Sequence, residues 1–350
     1  MADSRLQTAD LDDILGQTRL LWQEMRGQRL FLTGGTGFFG VWLVESFCYA
    51  NRELRLGAEM TVLSRDPSRF RAKCPHLAED TAVTLHAGDV REFTFPEGKF
   101  AFVIHAATEA SLKQSQEAPL EMLSTILDGT ERTLEFAARC GARKLLLTSS
   151  GAVYGKQPAG MTHVPETYMG APDPLDAANV YAEGKRTSEL MCALAAKNAD
   201  IEVKIARCWA FCGPHLPLDT HFAIGNFIRD ALAGRAIQIG GDGTPRRSYL
   251  YAGDLTAWLW TMLFRAPSLV PINVGSANDV SILELAETVA ATLAPGAEVR
   301  VAKQPVSGAP PLRYVPCVKR AEELLGLRET VGLTEQIRRT AAWHNANAGA

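Results

Sequence analysis

The chain has 350 residues, 47% of them hydrophobic and 21% charged, with a formal net charge of -3. That hydrophobic share is enough for one large or two unequal domains with a sizeable core. The near-neutral balance gives no electrostatic reason to expect nucleic acid or an anionic membrane as partner, so an anionic small substrate has to be met by local Arg or Lys. No uninterrupted apolar run approaches the roughly 20 residues that span a bilayer, and the opening Met1-Ala2-Asp3-Ser4-Arg5 lacks the apolar core of a secretion signal. Cysteines at 48, 74, 140, 192, 208, 212 and 317 form no Cys-x-x-Cys pair and no Cys/His cluster with zinc spacing. Their irregular spacing suits free thiols in a reducing cytoplasm, with no metal site.

Residues 1–27 come first. Leu11, Ile14, Leu15, Leu21, Trp22 and Met25 recur at helical spacing and predict one amphipathic helix, with Asp10 as its N-cap. From residue 28 strand and helix signals alternate. Short apolar strands are expected at 29–33, 60–63, 83–85, 102–105, 144–148 and 203–206, and helices at 41–50, 120–139 and 178–198. Apolar rather than alternating strands imply a doubly wound parallel sheet of Rossmann type, covered on both faces. After Ala206 the texture changes. Gly, Pro and single aromatics become frequent over 213–243, helices return at 282–293 and 318–325, and 272–275 reads as a strand rejoining the main sheet. The expected organisation is a helical extension (1–27), a dinucleotide-binding domain (28–206 with returning segments near 248–276) and a smaller α/β substrate domain (207–247 and 277–346).

The first strand runs into Gly34-Gly35-Thr36-Gly37-Phe38-Phe39-Gly40, which opens the first helix of the alternating part. Glycine permits the tight turn, bare backbone can approach a pyrophosphate, and the helix N-terminus offers its positive end. Gly34, Gly37, Phe38, Phe39 and Gly40 are therefore candidate cofactor contacts. At the end of the second strand, where an acidic residue would hold the ribose of NAD, stand Ser64 and Arg65. This pair favours NADP marginally; Asp66, one place on, leaves NAD open. Gly88-Asp89-Val90 brings a carboxylate toward the adenine edge. Ala106, Ala107 and Thr108, after the fourth strand, put small residues along the cofactor cleft.

The strand 144–148 continues into Ser149-Ser150-Gly151-Ala152-Val153-Tyr154-Gly155, and Tyr181-Ala182-Glu183-Gly184-Lys185 follows downstream. Residues four apart share a helix face. Lys185 is expected to sit beside the Tyr181 hydroxyl and lower its pKa, making a phenolate that removes a proton from a sugar hydroxyl. Ser150 is expected to hydrogen-bond the reacting oxygen.

With these motifs the sequence resembles the extended short-chain dehydrogenase/reductases, specifically the nucleotide-sugar epimerase and dehydratase group, over about residues 29–327. The resemblance also rests on Arg207, Gly225-Asn226-Phe227-Ile228, Gly241-Asp242-Gly243 and Arg247-Ser248-Tyr249-Leu250-Tyr251. It implies a nucleotide-diphosphate sugar as substrate, tightly bound NAD(P)+, and a homodimer formed through a bundle of helices 120–139 and 178–198. It places Asn226 at the diphosphate or nucleotide, and Arg247 and Arg313 at the diphosphate. The related dehydratases carry an Asp-Glu pair where Gly151 and Ala152 stand here, and the related decarboxylases a Glu. Ile126 and Ala210 replace Asn residues frequent in the group. The leading expectation is a 4-epimerase acting by transient oxidation of sugar carbon 4. A 4-keto-sugar reductase, a dehydratase or decarboxylase using acids from elsewhere (Glu109 and Glu166 are the nearby candidates), and a non-catalytic cofactor sensor are the alternatives.

Overall fold

The computed structural model describes residues 4–107, 112–220 and 222–347. Thr108 and Glu109 lie outside the described residues. Six strands, β1 (Arg29–Thr33), β2 (Glu59–Ser64), β3 (Val83–Ala87), β4 (Phe102–His105), β5 (Lys144–Ser150) and β6 (Glu202–Cys208), and a last strand, Pro271–Val274, form one sheet. Its order is Pro271–Val274, β6, β5, β4, β1, β2, β3, and every pairing is parallel. This is a Rossmann-type α/β fold.

Side chains along a strand alternate between faces. Leu30 and Leu32 of β1 accordingly join one core with Trp42, Phe47, Trp258 and Trp260, while Phe31 joins the opposite core with Phe93, Phe100 and Phe136. The apolar strands read as continuous runs because both faces are covered. A third cluster, around Phe227, Leu285, Val289 and Ile337, is built by the helices Ala223–Leu232, Ile282–Leu293 and Leu333–Asn347.

The first helix is Thr8–Thr18, followed by a separate 3-10 turn at Leu21–Met25. Asp10 is not its cap. Gln7 holds that position without a side-chain bond. Asp10 is buried instead, accepting the Tyr251 hydroxyl at 2.8 Å and pairing with Arg339 at 2.6 Å. Residues near the N-terminus are thereby fastened to the helix Leu333–Asn347. The helix after the glycine turn spans Phe38–Leu54, and β5 extends two residues beyond the expected end, so Ser149 and Ser150 are strand residues.

Candidate active site

Strand order reverses between β1 and β4, and the crevice at the carboxyl ends of such strands is where open α/β sheets bind ligands. Gly34 leaves β1 with φ +75°, and a Cβ on it would lie 2.4 Å from the Ala106 carbonyl oxygen. A Cβ on Gly40 would lie 2.2 Å from the Gly34 carbonyl oxygen. The turn therefore closes on the residues after β4 only with bare backbone. Gly37 is the N-cap residue of Phe38–Leu54, so Phe38, Phe39 and Gly40 form the first helical turn, whose backbone N–H groups have no partner within the helix. Such N–H groups and the positive end of the helix suit a pyrophosphate, and the residues present fit a dinucleotide. Ala107 N donates to Thr33 Oγ1 at 3.1 Å, fixing the opposite wall of the crevice.

At the adenosine end Ser64 is buried and accepts the Asp66 N–H at 3.2 Å. Asp66 accepts the Arg69 N–H at 2.9 Å and caps the helix Pro67–Lys73, so its carboxylate is already engaged. Arg65 is exposed. The Asp89 carboxylate is not bare. Arg91 donates to it through Nε at 2.8 Å and Nη2 at 3.0 Å. The hydrogen bond from the Arg91 side chain, with Arg65 adding its charge, holds the Asp89 carboxyl below its ordinary value. Arg91 carries no motif in the sequence. Val90 is buried against Gly129 of the helix Pro119–Arg139, where a Cβ would come within 2.9 Å of it.

Ser150 has extended backbone and accepts the Ala152 N–H at 3.1 Å, so the chain turns into a 3-10 helix, Gly151–Tyr154, just where its hydroxyl emerges. Tyr181 and Lys185 lie one turn apart on the helix Val180–Asn198. Ser150 is the hydrogen-bonding neighbour of the Tyr181 hydroxyl. The expected acidification by Lys185 is not what the structure gives. Burial pushes the Tyr181 hydroxyl up to about 12; Ser150 pulls it down and Cys208 adds a smaller upward push. Burial lowers Lys185 to about 8, and its Nζ donates to the Thr148 carbonyl oxygen at 2.8 Å. Enclosure disfavours the charged form of both groups at once, and spacing on a helix does not report enclosure. His105, buried at the end of β4, is driven down to about 3 by burial and by Lys185. It stays neutral between Thr33, at 2.8 Å, and Thr130, at 3.2 Å.

Behind Ser150, Ser149 donates to Glu189 at 2.5 Å, and Arg207 grips the same carboxylate at 3.0 and 2.7 Å. Arg207 thus fastens the end of β6 to the helix of Tyr181, and Glu189 was not singled out by the sequence. Ile126 packs on that helix too: a Cβ on Gly184 would lie 2.9 Å from its Cδ1. The Ala210 carbonyl accepts the Leu250 N–H at 3.0 Å. Glu166 is committed elsewhere, accepting the Asn273 N–H at 2.9 Å with Arg320 3.8 Å away, so it is not an acid for the site.

The strand Arg313–Tyr314 runs parallel to Arg246–Ser248, with Tyr314 opposite Arg247. The Arg247 guanidinium lies over the Tyr314 ring, 5.7 Å from its centroid. Arg313 pairs with Asp279 at 2.9 Å, and Arg246 binds the same carboxylate. In this structure Arg313 has Asp279 as its partner, whereas the expectation placed it at the diphosphate. Asn226 donates to the Thr220 carbonyl at 2.8 Å and accepts from Arg229 at 3.0 Å. It lines a concavity of about 700 Å³ with Arg229, Arg235, Gln238 and Arg300, a lining that contains none of Ser150, Tyr181 and Lys185. The Tyr314 hydroxyl lies beside Gly151, next to Ser150, and its ring packs on Trp209 with centroids 4.4 Å apart and planes tilted by 43°. Neither aromatic residue was predicted.

Residues 30–275 match the NAD dependent epimerase/dehydratase family. Among curated relatives, UDP-glucuronic acid decarboxylase 2 of Arabidopsis thaliana is 31% identical over 89% of this chain and 67% of its own length. UDP-glucuronic acid decarboxylase 6 of the same plant is 30% identical over 88% and 86%. Among solved structures, the dTDP-glucose 4,6-dehydratase DesIV of Streptomyces venezuelae, with NAD bound, is 25% identical with a TM-score of 0.78, covering 92% of this chain and 98% of that one. The UDP-N-acetylglucosamine 4-epimerase of Methanobrevibacter ruminantium has the same fold at 20% identity and a TM-score of 0.79, over 92% of this chain and 100% of that one. The crevice, the Ser150–Tyr181–Lys185 group and these matches agree: the chain is an enzyme of the NAD dependent epimerase/dehydratase family, the group of extended short-chain dehydrogenase/reductases that act on nucleotide sugars.

Proposed function

We propose that the protein oxidises carbon 4 of a nucleoside-diphosphate sugar and returns the hydride to the opposite face, as a nucleotide-sugar 4-epimerase. What supports this most directly is the meeting of Ser150 with the Tyr181 hydroxyl beside a dinucleotide crevice, with no acidic side chain at 151 or 152. Tyr181 takes the proton from the carbon-4 hydroxyl, and Ser150 hydrogen-bonds the same oxygen. Bound at the glycine turn, NAD(P)+ supplies the hydride acceptor and a positive charge that favours the phenolate. Lys185 holds the nicotinamide ribose, and Arg247 meets the diphosphate with a permanent charge. Elimination of water needs a base at carbon 5 and an acid at carbon 6; Gly151 and Ala152 provide neither.

Decarboxylation of a nucleotide-linked uronic acid is the second reading, favoured by the curated relatives. It is compatible with the same residues: once carbon 4 is a ketone, a carboxylate on carbon 5 belongs to a β-keto acid, which loses carbon dioxide without an added acid. Arg65 and Arg91 near the adenosine end support NADP as cofactor. Exposed Leu120, Leu190 and Leu194 on the helices Pro119–Arg139 and Val180–Asn198 support a homodimer.

The test is a panel of UDP- and dTDP-linked hexoses, UDP-glucuronic acid and a nucleotide-linked 4-keto-sugar supplied with NADPH, with products read by NMR. Carbon-4 epimers support the proposal. A pentose with released carbon dioxide supports the second reading. Consumption of external NADPH with a keto-sugar as the only turnover makes the protein a reductase. A panel without any carbon-4 chemistry overturns the function altogether.

A further inference from the structure

An acid at position 151 needs room for a side chain, and there is none. A Cβ on Gly151 would lie 2.6 Å from two atoms of the Trp209 indole and 2.8 Å from the Tyr314 hydroxyl oxygen. The space beside Ser150 is filled by two aromatic side chains from distant parts of the chain. Trp209 is pinned: its Nε1 donates to Asn273 Oδ1 at 3.1 Å, and the Tyr154 hydroxyl donates to the same oxygen at 3.0 Å. The Asn273 amide donates in turn to the Val164 and Cys317 carbonyls at 2.9 and 3.0 Å.

Tyr314 bridges the two ends of the substrate site. Its ring lies beneath Arg247, the residue assigned to the diphosphate, and its hydroxyl lies beside Gly151, next to Ser150, the residue assigned to the reacting oxygen. Burial raises its pKa above that of an ordinary phenol, so it remains an O–H donor at every working pH. Tyr314 touches Arg247 with its ring and the neighbourhood of Ser150 with its hydroxyl.

We propose that Tyr314 is a further substrate-contacting residue of the catalytic centre, whose hydroxyl donates a hydrogen bond to the sugar oxygen held by Ser150, in place of the acid that position 151 has no room for. This rests on the carbon-4 chemistry proposed above. The neutral donor holds the keto-sugar without offering a base to carbon 5, which directs the site away from elimination.

Tyr314→Phe removes the hydroxyl and leaves the ring on Trp209. The probes are the nucleotide sugar that the wild-type holoenzyme turns over in the product panel, and its nucleoside diphosphate alone. In the variant, affinity for the diphosphate should stay within about twofold, while kcat/KM for the nucleotide sugar should fall about tenfold, the weight of one hydrogen bond in an enclosed site. Gly151→Ala keeps Tyr314 but drives a methyl group against its hydroxyl and Trp209, and should lower kcat by at least about tenfold as well. A wild-type enzyme with no carbon-4 chemistry overturns the proposed function and this role with it. Wild-type turnover with an unimpaired Tyr314→Phe variant overturns the role of Tyr314 alone. Should Tyr314→Phe fail to fold, as judged by its melting curve and retained cofactor, Gly151→Ala decides: an unchanged kcat in that variant overturns the role.

Discussion

The Nζ of Lys185 stands 2.8 Å from the carbonyl oxygen of Thr148, joining the helix that carries Tyr181 to the strand that carries Ser150. The amine is fully enclosed, and burial lowers its pKa from 10.5 to about 8. Between those values the folded protein binds fewer protons at this group than the unfolded chain, so stability from this group rises with pH. The effect across the window is on the order of 3 kcal/mol. Relative to wild type, Lys185→Met should therefore lose melting temperature as the pH is raised through that window. A flat difference shows that Lys185 is protonated alike in both states, and one that grows in the other direction shows that folding raises its pKa.

Arg247 and Arg313 lie on neighbouring strands but differ in their partners. Arg247 lies over Tyr314, whereas Arg313 is paired with Asp279. Arg247→Ala should raise KM for the nucleotide sugar by about tenfold or more, with a smaller change in kcat, since a charge-assisted contact to phosphate is lost. Arg313→Ala should act mainly on melting temperature. Steady-state kinetics and melting curves of both variants check the contrast; a KM effect larger for Arg313 would reverse the assignment.

Asp10 is buried between Tyr251 and Arg339. Burial raises its carboxyl pKa, against hydrogen bonds from those two partners that lower it. Removing Asp10 leaves Arg339 paired with Glu335 but takes the acceptor from the buried Tyr251 hydroxyl, at a cost of about 1–3 kcal/mol. Asp10→Ala should unfold at markedly lower denaturant concentration than wild type, while Asp13→Ala, at an exposed neighbour, should change little. Equal midpoints for the two variants would mean the clamp contributes nothing.

His215 packs on Trp343 with ring centroids 4.2 Å apart, and burial drives its pKa down to about 3. Below the ordinary value of 6.5 the unfolded chain takes up a proton that the folded one refuses, so stability falls as the pH drops, by about 1.4 kcal/mol per unit for this group. His215→Phe should gain stability relative to wild type on acidification. A relative stability independent of pH would place the ring in water.

The placement of the glycine turn, Ser150 and the Tyr181–Lys185 pair was legible because each is set by a few consecutive residues or a fixed helical spacing. Tyr314, Trp209, Arg91 and Glu189 were not, since each acts as a single residue delivered by the fold. Tyr314 reaches the site only because its strand pairs with that of Arg247, a register no local pattern encodes. The helix Ala252–Arg265 escaped detection for another reason. Every residue from Ala252 to Phe264 is buried, so no polar face marks its period. Asp10 resembled a cap because acidic residues favour helix starts, but its hydroxyl partner lies 241 residues further on. Enclosure, not the distance to Lys185, sets the ionisation of Tyr181, and no sequence pattern reports enclosure.

The chemistry depends most on Tyr181 opening oxidation at carbon 4. The direct measurement mixes cofactor-loaded wild type and Tyr181→Phe with a nucleotide sugar deuterated at carbon 4 and follows both reduced-nicotinamide absorbance and the position of the label. Wild type should form reduced nicotinamide transiently and deliver the label to carbon 4 of a product of inverted configuration; the variant should bind cofactor equally and be slower by about 100-fold or more. Equal rates in the two proteins, or an inverted product formed without transient reduced nicotinamide, would contradict it.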